Sequence, residues 1–125
     1  MIPKRLPLII PLLWADAMEV RSDAPSSYEQ CQRQAFSSAD FRHCMQQELE
    51  RVDGLLNRDY RKAMKTIQPL RRSELRRVQR LWIAYRDARC GFFNHAESGT
   101  GGVLDELQCL IDETARRARE LSELY

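Results

Sequence analysis

The chain has 125 residues, of which 43% are hydrophobic and 30% are charged, and its formal net charge is +2. This length leaves room for one small domain and excludes a second one of normal size. Five glycines and five prolines are few for a strand-and-turn architecture, so the composition favours a mainly helical protein, and the overall charge offers no electrostatic steering.

The first seventeen residues, MIPKRLPLIIPLLWADA, differ from the rest of the chain. Two basic residues precede an apolar run, and Ala15 and Ala17 have the small-residue spacing of a signal peptidase site. The run is shorter than the roughly twenty residues that a membrane-spanning helix needs. The pattern predicts a signal peptide over residues 1–17 and a single helical domain over residues 18–125. The alternative is a buried or membrane-surface helix at the N-terminus.

Four cysteines follow this segment: Cys31, Cys44, Cys90 and Cys109. An even number in a short chain behind an apparent signal is typical of two disulfides formed in an oxidising compartment. Four cysteines allow three pairings. Pairing nearest neighbours would close two short loops, each worth on the order of 3 kcal/mol. No two cysteines have the spacing of a zinc site, and the two histidines do not form a ligand pair, so no metal is predicted.

Hydrophobic spacing predicts a short helix followed by the longest helix of the chain. The short helix covers SSYEQCQRQA, and Cys31 would connect it to the long one. The long helix should run from Ser37 to about Gln68, since Ser37 and Asp40 form a capping-box pattern and Pro69 cannot continue the helix. Its apolar positions are Phe41, Met45, Leu49, Val52, Leu56, Tyr60, Ala63 and Ile67.

A second main helix is expected from Ser73 to about Asn94. Helical spacing places Trp82 and Tyr85 on one apolar stripe and predicts that both are anchors of the core. The stripe consists of Leu75, Val78, Trp82, Tyr85 and Arg89.

The third main helix should begin after the glycine-rich loop ESGTGG. Its apolar stripe is Val103, Leu107, Leu110 or Ile111, Thr114, Ala118, Leu121 and Tyr125. Short connections make consecutive helices antiparallel neighbours. The predicted fold class is therefore all-α, a small disulfide-stapled bundle of three main helices plus a short N-terminal helix.

Two charged residues of the second main helix, Arg86 and Asp87, face away from its apolar stripe. A buried charge needs a partner, and the long helix offers Asp53 and Asn57. We expect a polar connection between the two helices here, with an exposed surface as the alternative.

The segment from Gln79 to Cys90 has the dense pattern Gln-x2-Trp-x2-Tyr-Arg-Asp-x2-Cys, and further motifs lie on either side of it. Together with the four cysteines, these motifs resemble the LprI-like lysozyme-inhibitor family of small exported bacterial proteins. The signature residues that carry the resemblance are Asp53, Asn57, Tyr60, Gln79, Trp82, Tyr85, Arg86, Asp87, Thr114 and Arg117. The resemblance implies a four-cysteine helical domain that is periplasmic or secreted, and inhibition of lysozyme by non-covalent binding.

Charge is unevenly distributed along the chain. Residues 58–80 contain nine basic and two acidic side chains, whereas residues 103–125 contain six acidic and three basic ones. Four acidic residues near the start of the last helix offer a surface for a basic lysozyme or another cell-wall hydrolase: Asp105, Glu106, Asp112 and Glu113. Acidic residues also favour a helix N-terminus, which explains them equally well.

The arginines of RRSELRRVQR have the chemistry to bind phosphates, anionic lipid or an acidic partner. An exported protein rarely meets nucleic acid in its own envelope, so no specific nucleic-acid partner is predicted. No cysteine follows the apolar run closely, so no stable membrane anchor is predicted either.

Sequence motifs of the common enzyme classes are missing. The chain has no His-Glu-x2-His and no Gly-x-Ser-x-Gly, and GTGG lacks the Lys-Ser/Thr of a phosphate-binding loop. A binding protein without a cofactor is therefore expected rather than an enzyme. The alternative to an inhibitor is a structural or interaction module of the bacterial envelope without a hydrolase target.

Overall fold

The structure is a computed structural model that describes residues 24–125. Within this range it contains four α-helices and no strand, which confirms the predicted all-α fold with three main helices and one short helix. The helices are α1 (Ser27–Gln34), α2 (Ser38–Thr66), α3 (Arg72–Gly91) and α4 (Gly99–Ser122), and a 3-10 turn (Pro69–Arg71) joins α2 to α3. The predicted signal peptide, residues 1–17, lies outside the described residues.

Local hydrogen bonds explain where α2 begins and ends. The Ser37 hydroxyl accepts from the backbone N–H of Asp40 at 3.1 Å, which is the predicted capping box. The backbone N–H groups of Phe36 and Ser37 donate to the Asp40 carboxylate and lower the pKa of that carboxyl. At the other end α2 stops at Thr66, because Pro69 cannot continue the hydrogen-bond ladder.

The core lies between α2 and α4, which pack along each other, whereas α3 contacts α4 over a shorter length. Leu56 of α2 packs with Ala118 and Leu121 of α4, and the half-buried side chains of Leu75 and Trp82 from α3 close this cluster. The other buried apolar side chains of the two long helices include Met45, Val52, Ala63 and Ile111. The predicted stripes of α2 and α4 therefore face each other.

Two disulfides connect the helices. Cys31–Cys44 joins α1 to α2, and Cys90–Cys109 joins the last turn of α3 to α4, with Cα–Cα distances of 5.7 and 5.4 Å. This is the nearest-neighbour pairing. The helix α1 buries no residue, so its position depends on its disulfide and on contacts such as the hydrogen bond from the Tyr28 hydroxyl to α4.

The buried face of α3 differs from the predicted stripe. It is formed by Leu75, Gln79, Trp82, Arg86 and Cys90. The prediction that Tyr85 is a core anchor is wrong, because its side chain is 57% exposed, and Val78 is 49% exposed. The helix is rotated relative to the prediction because Gln79 and Arg86 find polar partners on α4 and can therefore face inward.

The glycine-rich segment is helical rather than a loop, since α4 begins at Gly99. Gly99 has a φ of +61°, a conformation that favours glycine. Gly102 is buried, and a Cβ at this position would lie 2.6 Å from the Cβ of Ser98 and 2.7 Å from the carbonyl oxygen of Phe93. Glycine is needed here because the preceding turn approaches α4 so closely.

Candidate functional site

Trp82 lies at the centre of a polar cluster between α3 and α4. The guanidinium groups of Arg86 and Arg117 are 5.1 and 6.0 Å from the centre of its ring, within range of cation–π attraction. Arg86 Nη1 donates to the hydroxyl of Thr114 at 3.2 Å, and Arg117 Nε donates to the side-chain oxygen of Gln79 at 3.0 Å. We call these five residues the Trp82 junction.

Arg86 also connects the Trp82 junction to α2. Arg86 Nη1 lies 3.7 Å from the carboxylate of Asp53, and Arg86 Nε donates to Asp87 at 3.0 Å. Burial raises the pKa of Asp53, although the guanidinium of Arg86 pulls that pKa down. Asn57 is exposed, so of the two candidates on the long helix only Asp53 pairs with Arg86.

The signature residues therefore divide between two environments. Seven of them lie in the Trp82 junction or contact it through Arg86: Asp53, Gln79, Trp82, Arg86, Asp87, Thr114 and Arg117. Tyr60 packs against the core cluster, whereas Asn57 and Tyr85 are exposed. Among the described residues, every fully buried side-chain nitrogen or oxygen has a hydrogen-bond partner. The chemistry of the junction is therefore that of a connection between helices.

A second cluster on α4 is acidic and faces solvent. Residues 95–113 contain five acidic side chains and no arginine or lysine. Asp105 and Asp112 are exposed and Glu106 is half-buried, and none of the three forms an ion pair with a described residue. Asp112 accepts a hydrogen bond from Gln108 at 2.9 Å. We call Asp105, Glu106 and Asp112 the acidic pole.

The fourth acidic residue predicted for this surface, Glu113, does not belong to it. Its side chain is buried, and its carboxylate pairs with Arg89 at 3.0 Å and also with Arg116. Two arginines compensate one buried carboxylate here, so Glu113 connects α4 to α3. The sequence around Glu113 does not indicate this pairing, because Arg89 of α3 lies 24 positions earlier in the chain.

The opposite end of the bundle is basic. Residues 58–80 surround the end of α2 and the start of α3, and three exposed arginines of α3 form no ion pair with a described residue: Arg76, Arg77 and Arg80. A groove of about 500 Å³ at this end is lined by residues from the end of α2, the start of α3 and the C-terminus. Ile67, Leu75, Val78 and Leu124 are the apolar side chains of its wall.

Sequence reasoning missed a polar pair that closes this end. The Tyr125 hydroxyl donates to the buried carboxylate of Asp59 at 2.6 Å, and Arg58 Nε donates to the same oxygen at 3.1 Å. The hydrogen bond from Tyr125 is the main reason why the pKa of Asp59 is lowered, and it raises the pKa of Tyr125. Sixty-six positions separate the two residues, so spacing gave no indication of the pair.

Two further properties of residues 24–125 concern metal binding and membrane crossing. This part of the chain holds no group of three His, Cys, Asp or Glu side chains arranged to bind a metal ion. None of its helices combines the length and the apolar composition that crossing a bilayer requires.

Comparison with known proteins identifies relatives of the chain. The family model described as "Lysozyme inhibitor LprI" matches residues 29–121, which extend from the first turn of α1 to the last turn of α4. A protein of Rhizobium meliloti (strain 1021), described as "Uncharacterized protein R02472", is 30% identical over 120 residues, covering 81% of this chain and 85% of the relative. No solved structure matches the chain significantly.

Proposed function

The chain belongs to the LprI lysozyme-inhibitor family, and from this premise we propose that it is an exported protein that binds a cell-wall hydrolase, a lysozyme, and blocks it non-covalently. Residues 1–17 would be the signal peptide, and residues 18–125 the single helical domain. The two disulfides support this localisation, because such bonds persist in the periplasm and outside the cell.

The acidic pole is the observation that supports binding of a lysozyme. Lysozymes of the animal type are strongly basic, and an inhibitor benefits from a surface of opposite charge, which accelerates encounter and excludes wrong partners. Asp105 and Asp112 are exposed on α4 and free of ion pairs with described residues, so their charge is available to a partner. The basic end of the bundle, by contrast, would repel such an enzyme.

A binding role also agrees with the chemistry of the signature residues. The arginines of the Trp82 junction are occupied by Thr114, Gln79, Asp53 and the indole ring. These contacts hold three helices in place and position α4, on which the acidic pole lies. The proposed activity therefore depends on surface complementarity, and the protein itself is not an enzyme.

The test is lysozyme turnover of cell walls in the presence of the purified, disulfide-bonded protein. We expect turnover to fall at micromolar concentrations of the protein and to recover as salt is added, since salt screens exposed charges. Unchanged turnover at every concentration would remove the inhibitor proposal and favour an envelope module without a hydrolase target.

Charge reversal separates the acidic pole from the rest of the surface. The double variant Asp105→Lys/Asp112→Lys should inhibit at least about tenfold less well, since like charges at an interface cost several kcal/mol. The control Glu123→Lys reverses one charge at an exposed residue beyond the far end of α4 and should inhibit as the unmodified protein does. Equal inhibition by all three proteins would place the binding surface elsewhere.

A further inference from the structure

An exposed apolar stripe runs along α3 to Phe92, the residue that follows the helix, where the ring of Phe92 meets that of Phe93 edge-on. It consists of Val78, Leu81, Tyr85 and Phe92, of which Leu81 is 60% and Phe92 is 83% exposed. Spacings of three, four and seven positions place these side chains on one face of the helix. That face lies about a third of a turn away from the face that packs on the bundle. We call it the α3 stripe.

Unpaired arginines border the α3 stripe on one side. Arg77 lies one turn before Leu81. Arg76 and Arg80 lie on the adjacent face of the helix, beyond Arg77 as seen from the stripe. All three are exposed, and none pairs with a described acidic residue, whereas Arg71, Arg86 and Arg89 do. An exposed row of apolar and aromatic side chains beside arginines is the pattern of a helix that lies in a membrane interface.

We propose that the α3 stripe and its arginines form a docking surface for an anionic phospholipid bilayer. The arginines would contact lipid phosphates, while Leu81, Tyr85 and Phe92 would enter the boundary between headgroups and acyl chains. Binding of this kind is reversible and depends on salt. It uses the side of the molecule that carries the basic charge, so the acidic pole remains available to a protein.

Charge favours the bilayer over two other occupants of this surface. A basic lysozyme would be repelled by Arg76, Arg77 and Arg80. A second copy of the chain, packed through the same stripe about a twofold axis, would bring two rows of arginines to the border of one interface, where like charges oppose association. An anionic bilayer satisfies both the arginines and the apolar side chains.

The experiment is sedimentation of the disulfide-bonded protein, purified after export, with vesicles. Mixed phosphatidylcholine and phosphatidylglycerol vesicles should bind it at low salt, and pure phosphatidylcholine vesicles should bind it weakly. The variant Arg77→Glu/Arg80→Glu should bind the mixed vesicles at least about tenfold more weakly. The control Arg33→Glu/Arg42→Glu makes the same change of charge at two exposed arginines of α1 and α2 and should bind within about twofold of the unmodified protein.

The apolar contribution is tested by Leu81→Ser/Tyr85→Ser, which should also weaken binding while the helical circular dichroism stays unchanged. Three results would overturn the proposal. The first is no binding to the mixed vesicles, and the second is an equal loss in the Arg33→Glu/Arg42→Glu control. The third is a concentration-dependent dimer that disappears in Leu81→Ser/Tyr85→Ser, which would assign the stripe to a second copy of the chain.

Discussion

At the scale of single residues, Arg86 contacts both of the other main helices. Its guanidinium lies over Trp82, donates to Thr114 of α4 and approaches Asp53 of α2. Its side chain is 16% exposed, so these contacts form in a partly desolvated place where an unpaired partner is costly. A single arginine thus connects all three main helices.

We predict that Arg86→Met lowers the free energy of unfolding by about 2 kcal/mol, because Thr114 and Asp53 lose their partner. The control is Arg80→Met on the same helix, where the exposed arginine has no ion pair with a described residue, and it should change stability by less than about 0.5 kcal/mol. Urea unfolding with both disulfides intact measures the difference. Equal effects of the two substitutions would show that Arg86 is not a structural connection.

The pair of Asp59 and Tyr125 gives a prediction about pH. The lowered pKa of Asp59 means that the ionised carboxylate is favoured in the folded protein. Its contribution to stability is therefore present above the pKa of the unfolded chain and is lost as the pH falls through the lowered pKa of the fold. Tyr125→Phe should lower the melting temperature at neutral pH. The difference in melting temperature between this variant and the unmodified protein should become smaller at acidic pH.

The control for this prediction is Tyr85→Phe. The hydroxyl of Tyr85 makes no hydrogen bond to a described residue, so its removal should leave the melting temperature unchanged at both pH values. A difference for Tyr125→Phe that stays constant from neutral to acidic pH would contradict the role of the Asp59 carboxylate.

Residues of α3 also show where sequence reasoning reached its limit. Trp82 was placed correctly because both the predicted stripe and the observed buried face contain it. Tyr85 was wrongly assigned to the core because hydrophobic periodicity selects the face with the most apolar residues. The buried face of α3 instead includes the polar residues Gln79 and Arg86. Those two face inward because Arg117 and Thr114 lie opposite them on α4, and the sequence does not contain that pairing in any local pattern.

At the scale of helices, the sequence predicted most of the fold. The long helix was expected from Ser37 to about Gln68 and is observed as Ser38–Thr66, because caps and prolines act locally and are readable in sequence. The start of α4 was predicted after Gly102 and is observed at Gly99. Gly99 and Gly102 indicated a loop, yet they form the first turn of α4 because Gly102 lets the preceding turn approach closely.

Two glycines in helices should respond to alanine in opposite directions. Gly54 is exposed in the middle of α2 with nothing near a Cβ, so Gly54→Ala should raise the free energy of unfolding by about 1 kcal/mol. Gly102→Ala should lower it by at least about 1 kcal/mol, since the new Cβ would clash with the carbonyl oxygen of Phe93. Thermal unfolding of both variants tests this, and stabilisation by Gly102→Ala would contradict the close approach.

At the scale of the whole molecule, charge divides the bundle into two parts. The acidic pole lies between Asp105 and Asp112 of α4, and the unpaired arginines lie on the first half of α3. The uneven distribution of charge was visible in the sequence, but the burial of Glu113 was not. Because Glu113 is buried, the predicted acidic surface is reduced to three residues. The two partners that we propose, a basic enzyme and an anionic membrane, would therefore meet separate surfaces of one molecule.

Direct binding of lysozyme by the acidic pole is tested by a calorimetric titration of lysozyme with the purified protein in the absence of cell walls. We expect saturable binding that weakens as salt is raised and is lost in Asp105→Lys/Asp112→Lys, while Glu123→Lys binds normally. A titration without binding, alongside reduced turnover of cell walls, would rule out direct inhibition, since the protein would then act on the wall rather than on the enzyme.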